Sequence, residues 1–279
     1  MLDVAEEKHL RRKAAQLRRD IAEMLEPPKV GHLGGSSSSV EIVTVLYFYK
    51  MRHNPKEPQW AERDHFIMSK GHSALAQYAA LAECGYFPRQ DLRHNKELGF
   101  HLQGHPDMRK TVGIEANTGS LGQGLSVGLG LALSHKLDGQ SNKVYVLVGD
   151  GELAEGQIWE AAMAAAAYKA DNLVAIIDRN RLQATGPISE RMDSGDIQSK
   201  WQAFGWEVME VDGHDVKAIA YALDEADKVS ERPVAIIANT IKGKGFPFAE
   251  GKAAFHNAAL NAEQYQEALL LTEQMIEGD

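Results

Sequence analysis

The chain has 279 residues, of which 44% are apolar and 25% charged, with a net charge of −9. These values suit a soluble globular protein of one large α/β domain or two ordinary ones. They argue against a nucleic-acid binder, which would normally show a basic face. A single cysteine, Cys84, rules out an internal disulfide and reads as a buried, inert thiol at a helix end. No apolar stretch approaches the roughly 20 residues that a membrane crossing needs. The charged start, MLDVAEEKHLRRKAAQ, lacks the apolar core of a signal peptide. The expectation is therefore a cytoplasmic protein with no nucleic-acid or membrane partner.

Residues 5–26 predict an amphipathic helix, with Ala14, Leu17, Ile21 and Leu25 at helical spacing and Pro27-Pro28 as its stop. Gly31-His32-Leu33-Gly34-Gly35 and four serines read as a loop feeding a buried helix from Val40 to Tyr49. Phe66–Ser69 is a short strand ending in Lys70-Gly71-His72-Ser73, before an Ala/Leu-rich helix. Residues 86–116 hold His94, His101 and His105 and lack periodicity, which in a compact domain marks a functional or disordered segment. The turn Thr118–Gly124 leads into a small-residue helix, Leu125–Leu137. The second half then alternates. Strands are expected at Val144–Val148, Leu173–Ile177, Trp206–Val211 and Val234–Ala238, and helices at 154–169, near 196–204 and at 215–229. Continuous apolar strands separated by helices predict an α/β fold, a parallel sheet with helices on both faces. No composition break marks a second domain. Residues 1–279 are expected to form one domain with a C-terminal helical tail, Ala262–Glu277.

Ligands in such sheets bind beyond the carboxyl ends of the strands. Val148 is followed by Gly149-Asp150-Gly151-Glu152, and Ile177 by Asp178-Arg179-Asn180-Arg181-Leu182. Glycines on both sides of Asp150 permit a sharp turn and close approach to a ligand. Between Gly151 and Asn180 lie 28 residues, enough for one crossover helix and one strand. If those strands are neighbours, Asp150 and Asn180 meet at one sheet edge. A carboxylate, an amide oxygen and a backbone carbonyl suit Mg²⁺ or Ca²⁺, with phosphate oxygens completing the shell. Alone, Gly-Asp-Gly also fits a simple turn.

The paired elements resemble the diphosphate-binding motif of thiamine-diphosphate enzymes. Other segments resemble those of the transketolase family in order. They are Gly31-His32, Ser69-Lys70-Gly71-His72, Gly104-His105-Pro106-Asp107, Thr118–Gly124 and His256 within Ala254-Phe255-His256-Asn257. Where that family has a proline after the first histidine, this chain has Leu33. The resemblance implies thiamine diphosphate with Mg²⁺ (or Ca²⁺) held by Asp150, Asn180 and the Leu182 carbonyl. Gly151 would contact the diphosphate, joined by Gly149 and Glu152. Gly119, Ser120, Leu121 and Gly122 would line the aminopyrimidine side. His32, His72, His105 and His256 would surround the reacting carbons, with His72 also touching the cofactor. Glu155 would link two active sites across a subunit interface. His214 would be a turn residue before a helix. Lys242 and Lys244 would meet substrate or phosphate, or be solvated loop charges.

The family's pyrimidine-binding and C-terminal domains have no counterpart in this sequence. The resemblance therefore implies the N-terminal subunit of a two-component transketolase. It would pair 2+2 with a chain supplying the C-terminal half, the C-terminal subunit, and act on sugars or sugar phosphates. The isolated chain would lack turnover, because the glutamate that protonates the pyrimidine belongs to the partner. Two rival readings are another thiamine-diphosphate component, such as one similar to 1-deoxyxylulose-phosphate synthase, and a non-catalytic partner-binding subunit.

Overall fold

A computed structural model describes residues 2–278. Helix α1 (Val4–Met24) opens on a capping box, in which Asp3 and Glu6 each accept the other's backbone N–H at 2.8 Å. A two-residue strand β1 (Val30–Gly31) follows, then α2 (Leu33–Ser38) and α3 (Val40–Val45), which ends in a wide turn at Leu46–Lys50. The helix thus begins earlier than the serine run suggests. Ser36 to Ser39 are fully buried, and Ser38 and Ser39 return their hydroxyls to the Gly35 carbonyl at 3.1 and 2.8 Å. Back-bonding of this kind lets serine sit inside a helix.

Strand β2 (His65–Met68), α4 (Ala74–Cys84) and α5 (Gln123–Leu137) precede the alternating half. That half comprises β3 (Val144–Gly149), α6 (Gly156–Ala167), β4 (Leu173–Arg179) and a small hairpin, β5 (Leu182–Gln183) with β6 (Gly186–Pro187). It continues with α7 (Ile197–Ala203), β7 (Glu207–Asp212), α8 (Val216–Ala226) and β8 (Val234–Asn239). Strand β9 (Ala258–Ala259) and α9 (Ala262–Gly278) complete the described residues.

The five main strands run parallel in the order β2-β3-β4-β8-β7. Side chains alternate across the sheet, so each strand feeds two cores. Tyr145, Leu147, Val174, Ile176, Val234 and Ile236 pack with α1, α3, α4 and α8. Val146, Val148, Ala175, Ile177, Ala235 and Ile237 pack with α5, α6 and α7 around Trp201 and Trp206, whose rings lie 4.7 Å apart. Over β2, β3, β4 and β8 both faces are dry, which explains their near-continuous apolar sequences, whereas the edge strand β7 is partly exposed. Helix α9 lies against α1. The pair β1–β9 is antiparallel, with Val30 opposite Ala259 and Gly31 opposite Ala258. It ties the segment after α1 to the segment before α9. Among the described residues no helix is long and apolar enough to cross a membrane.

Candidate active site

Because the strands are parallel, their carboxyl ends share one edge. Lys70 and His72 follow β2, Asp150 follows β3, Asn180 follows β4, and Thr240 and Lys242 follow β8. A cavity of about 380 Å³ opens there, lined among others by His72, Asp150, Asn180, Leu182, Lys242 and His256.

Strands β3 and β4 are neighbours with Gly149 opposite Asp178, so Asp150 and Asn180 meet as the spacing predicts. Asp150 is 6% exposed. It accepts the Gly151 N–H at 2.8 Å and the Arg181 N–H. No ion pair to Asp150 occurs among the described residues. Burial, and then the nearby Asp178, push its carboxyl up to about 6. Asn180 donates to Asp178 at 3.1 Å and accepts the Leu182 N–H at 3.1 Å. The Leu182 carbonyl accepts from Lys242 at 3.0 Å. A buried carboxylate in no salt bridge, beside an amide oxygen and a carbonyl, is a donor set that fits a hard divalent cation.

Beneath this edge lies a pair that sequence reasoning leaves unassigned. Lys70 is 2% exposed and Asp178 fully buried. Lys70 donates to Asp178 and, at 2.9 Å, to the Gly35 carbonyl. Asp178 also accepts from Ser38 at 2.7 Å and from Thr240. Burial alone would raise the Asp178 carboxyl; Lys70 and the two hydroxyls hold it below the usual carboxylate range. One carboxylate thus joins β2, α2, β4 and the β8 loop.

Glu152 turns inward rather than toward solvent. It accepts from Ser69 at 2.5 Å and from the Gly122 and Gly149 N–H groups at 2.8 and 3.0 Å. It therefore clips the Thr118–Gly124 turn to the ends of β2 and β3. Burial raises its carboxyl despite these donors. Glu155 is exposed, sits at the start of α6 and lines the cavity. Leu121 also faces the cavity, and Ser120 is exposed beside it. Gly119 has φ +139°, and a Cβ there would lie 2.8 Å from His105 Cδ2, so only glycine lets the turn approach that ring.

The four expected histidines converge. His32 lies 5.2, 6.1 and 5.4 Å, centroid to centroid, from His72, His105 and His256, and His72 lies 4.9 Å from His256. Burial, reinforced by His256 and Lys96, lowers His32 to about 4. Burial and the charges of Lys242 and Lys70 lower His256 to about 4. Burial and Lys70 take His72 down to about 2, and burial and Lys96 lower His105. All four imidazoles are neutral near pH 7. They can donate and accept hydrogen bonds and take up a proton only in response to a strong local anion.

Lys242 is not a solvated loop charge. It is 2% exposed, and its ammonium lies 2.9 Å from His256 Nδ1. Burial and Lys70 push it down to about 8. Lys244 is half-buried outside the cavity, 3.8 Å from Glu250. Lys96, also unassigned from sequence, donates to the Val30 carbonyl at 2.6 Å beside His32. Among the other histidines, His65 packs 4.8 Å from His135, and His53, His94 and His101 bond outside the cavity.

Known proteins give the geometry its context. A family model described as the thiamine diphosphate binding domain of transketolase matches residues 11–270. The chain belongs to this family. A 6-deoxy-6-sulfo-D-fructose transketolase subunit, SqwG, of Clostridium sp. (strain MSTE9) is 46% identical, covering 86% of this chain and 87% of its own length. An apulose-4-phosphate transketolase subunit of Phocaeicola vulgatus is 44% identical, covering 93% and 92%. Human transketolase is 41% identical over 82% of this chain but only 36% of its own length. Among solved structures, transketolase from Campylobacter jejuni superposes with a TM-score of 0.87 at 30% identity, covering 99% of this chain. The chain spans 47% of that protein and about 45% of the Pichia stipitis transketolase, which matches at a TM-score of 0.88. The reading as the N-terminal subunit of a two-component transketolase holds, since full-length matches come from proteins named as subunits.

Proposed function

We propose that this chain binds the diphosphate end of thiamine diphosphate and, with a partner chain, transfers a two-carbon ketol unit from a ketose to an aldose. The observation that carries the reading is one cavity lined by a buried carboxylate with no salt-bridge partner and by His72 and His256, with His32 and His105 packed beside them in the same imidazole cluster. Asp150, Asn180 and the Leu182 carbonyl are the residues that would hold Mg²⁺ or Ca²⁺, with Lys242 giving up the carbonyl. Gly149, Gly151 and Lys242 would face the diphosphate, and Gly119–Gly122 the aminopyrimidine. Bound thiamine diphosphate supplies the nucleophilic carbon and electron sink that ketol transfer needs.

The protein's share is placement and proton handling. His32, His72, His105 and His256 orient substrate hydroxyls and carry protons to and from the substrate oxygens. Their low basicity in the free chain keeps them as hydrogen-bonding groups until charge develops beside them. Glu152 holds the pyrimidine-side turn against the diphosphate-side turn. Glu155, exposed at the cavity rim, is suited to contact a neighbouring protomer. We assign the chain to one cytoplasmic domain in a 2+2 assembly. The substrates belong to the ketose phosphates and sulfonated sugars for which the relatives are named.

The test is calorimetric titration of thiamine diphosphate with Mg²⁺ into the chain, alone and with its partner, followed by a ketol-transfer assay. Metal-dependent binding that Asp150→Ala abolishes, with turnover only in the mixture, is the expected result. Unchanged activity in Asp150→Ala would leave a partner-binding subunit without chemistry as the reading.

A further inference from the structure

Lys242 reaches the cavity on the segment 241–244, and that segment is gripped from behind by groups the cofactor reading does not use. The Ile241 N–H donates to His214 Nε2 at 2.8 Å, and His214 Nδ1 lies 3.0 Å from Glu41 Oε2. A backbone N–H only donates, so Nε2 is the unprotonated nitrogen and the ring proton sits on Nδ1, directed at Glu41. The other Glu41 oxygen lies 2.6 Å from Arg18 Nη2, with both side chains under a tenth exposed. Burial would raise the Glu41 carboxyl, but Arg18 and His214 keep it low and therefore ionised. Arg18 Nε donates in turn to the Lys244 carbonyl at 3.1 Å.

Both ends of the segment are thus fixed, the N–H of Ile241 and the C=O of Lys244. Between them, Gly243 N–H donates to Gly34 O and Gly251 N–H to Lys242 O, each at 2.9 Å. A Cβ at Gly34 would sit 2.9 Å from Lys242 Cγ, so the lysine stem packs directly against the glycine backbone, where a side chain at 34 would displace it. The imidazole is not needed for the turn it occupies. Asp212 closes that turn on the His214 N–H at 2.8 Å, and Asp215 caps α8 through the Lys217 N–H at 2.9 Å.

We propose that His214, locked as its Nδ1–H tautomer by the Arg18–Glu41 pair, is a positioning residue for Lys242 and through it sets how tightly the cavity holds a diphosphate. The inference rests on the cofactor reading of the cavity. Two measurements test it. The first is the ¹⁵N spectrum of the histidine-labelled chain near neutral pH, where His214 must give a protonated Nδ1 and an unprotonated Nε2. An Nε2–H tautomer or an imidazolium overturns the proposal.

The second is a double-mutant cycle on half-saturation by thiamine diphosphate in the assembled enzyme, monitored by cofactor binding rather than turnover. His214→Phe is expected to raise the half-saturating concentration about tenfold, the scale of one charge-assisted contact. His214→Gln, whose amide can accept from Ile241 and donate to Glu41, restores most of the affinity. In a Lys242→Met background, His214→Phe adds no further loss, whereas additive losses overturn the positioning role. If the unsubstituted enzyme binds no thiamine diphosphate, the cofactor reading fails and takes the diphosphate role with it. The tautomer spectrum still tests the grip on the segment independently.

Discussion

Replacing Lys70 by Met tests whether the buried pair beneath the cavity supports the sheet edge. The substitution removes the cation from Asp178, which stays fully buried, and frees the Gly35 carbonyl. Removing one partner of a buried ion pair costs about 3–5 kcal/mol, because the other charge is left uncompensated. Asp178 keeps the Ser38 and Thr240 hydroxyls and the Asn180 amide, which favours the lower end of that range. In a chain of this size each kcal/mol lowers the midpoint by about 2–4 °C, so Lys70→Met should melt about 6–12 °C lower. The internal control is Lys169→Met, which breaks the pair with Glu231 at 61% and 68% exposure. A pair so open to solvent contributes little, because water and salt screen it. Differential scanning calorimetry at pH 7.5 compares the two. A loss in Lys70→Met no larger than that in Lys169→Met would refute the claim that this pair braces β2 against β4.

Three further outcomes follow from the geometry. Proton NMR of the imidazoles in the free chain should show His32 and His256 titrating near 4. His72 and His105 should also titrate below the ordinary range. The positive forms then exist only in acid, and a midpoint above about 6.5 for any of the four would contradict the burial seen here. Gly119→Ala should displace His105 and lower turnover of the assembled enzyme at least about tenfold, since misplacement by an ångström carries costs of this order. Unchanged kinetics would mean that the ring is free to move. Burial pushes the Cys84 thiol up to about 12. A disulfide reagent at pH 8 should modify it at least about a hundredfold more slowly than a free thiol until the chain unfolds. Fast labelling of the native chain would remove the basis for reading it as inert.

The parallel sheet was legible because its strands β2, β3, β4 and β8 are dry on both faces, and dry strands write themselves as unbroken apolar runs. Expected Val144–Val148 and Leu173–Ile177 became Val144–Gly149 and Leu173–Arg179. Asp150 and Asn180 were legible for a related reason, since each comes within three residues of the end of such a run. The histidines were different. Nothing local marks His32 or His256, and only ordered resemblance to a family singled them out. Lys70 and Asp178 stand 108 residues apart and left no signal, because a long-range pair has no periodicity. The orientation of Glu152 was also hidden. A carboxylate after a Gly-Asp-Gly turn reads as pointing to a ligand until the backbone donors of Gly122 and Gly149 turn it inward.

The short antiparallel pair that sets Val30 against Ala259 also fixes an order of events at the ribosome. Chains are made from the amino end, and early segments must wait for late partners. Strands β2, β3 and β4, with the Asp150 turn, are all made once Arg179 has emerged. The turn carrying His32 has no strand partner until Ala259 is made, and Lys242 and His256 arrive only shortly before it. The histidine cluster is therefore the last part of the site to be completed along the chain. A chain halted before residue 256 would lack both His256 and the strand that pairs with Val30–Gly31.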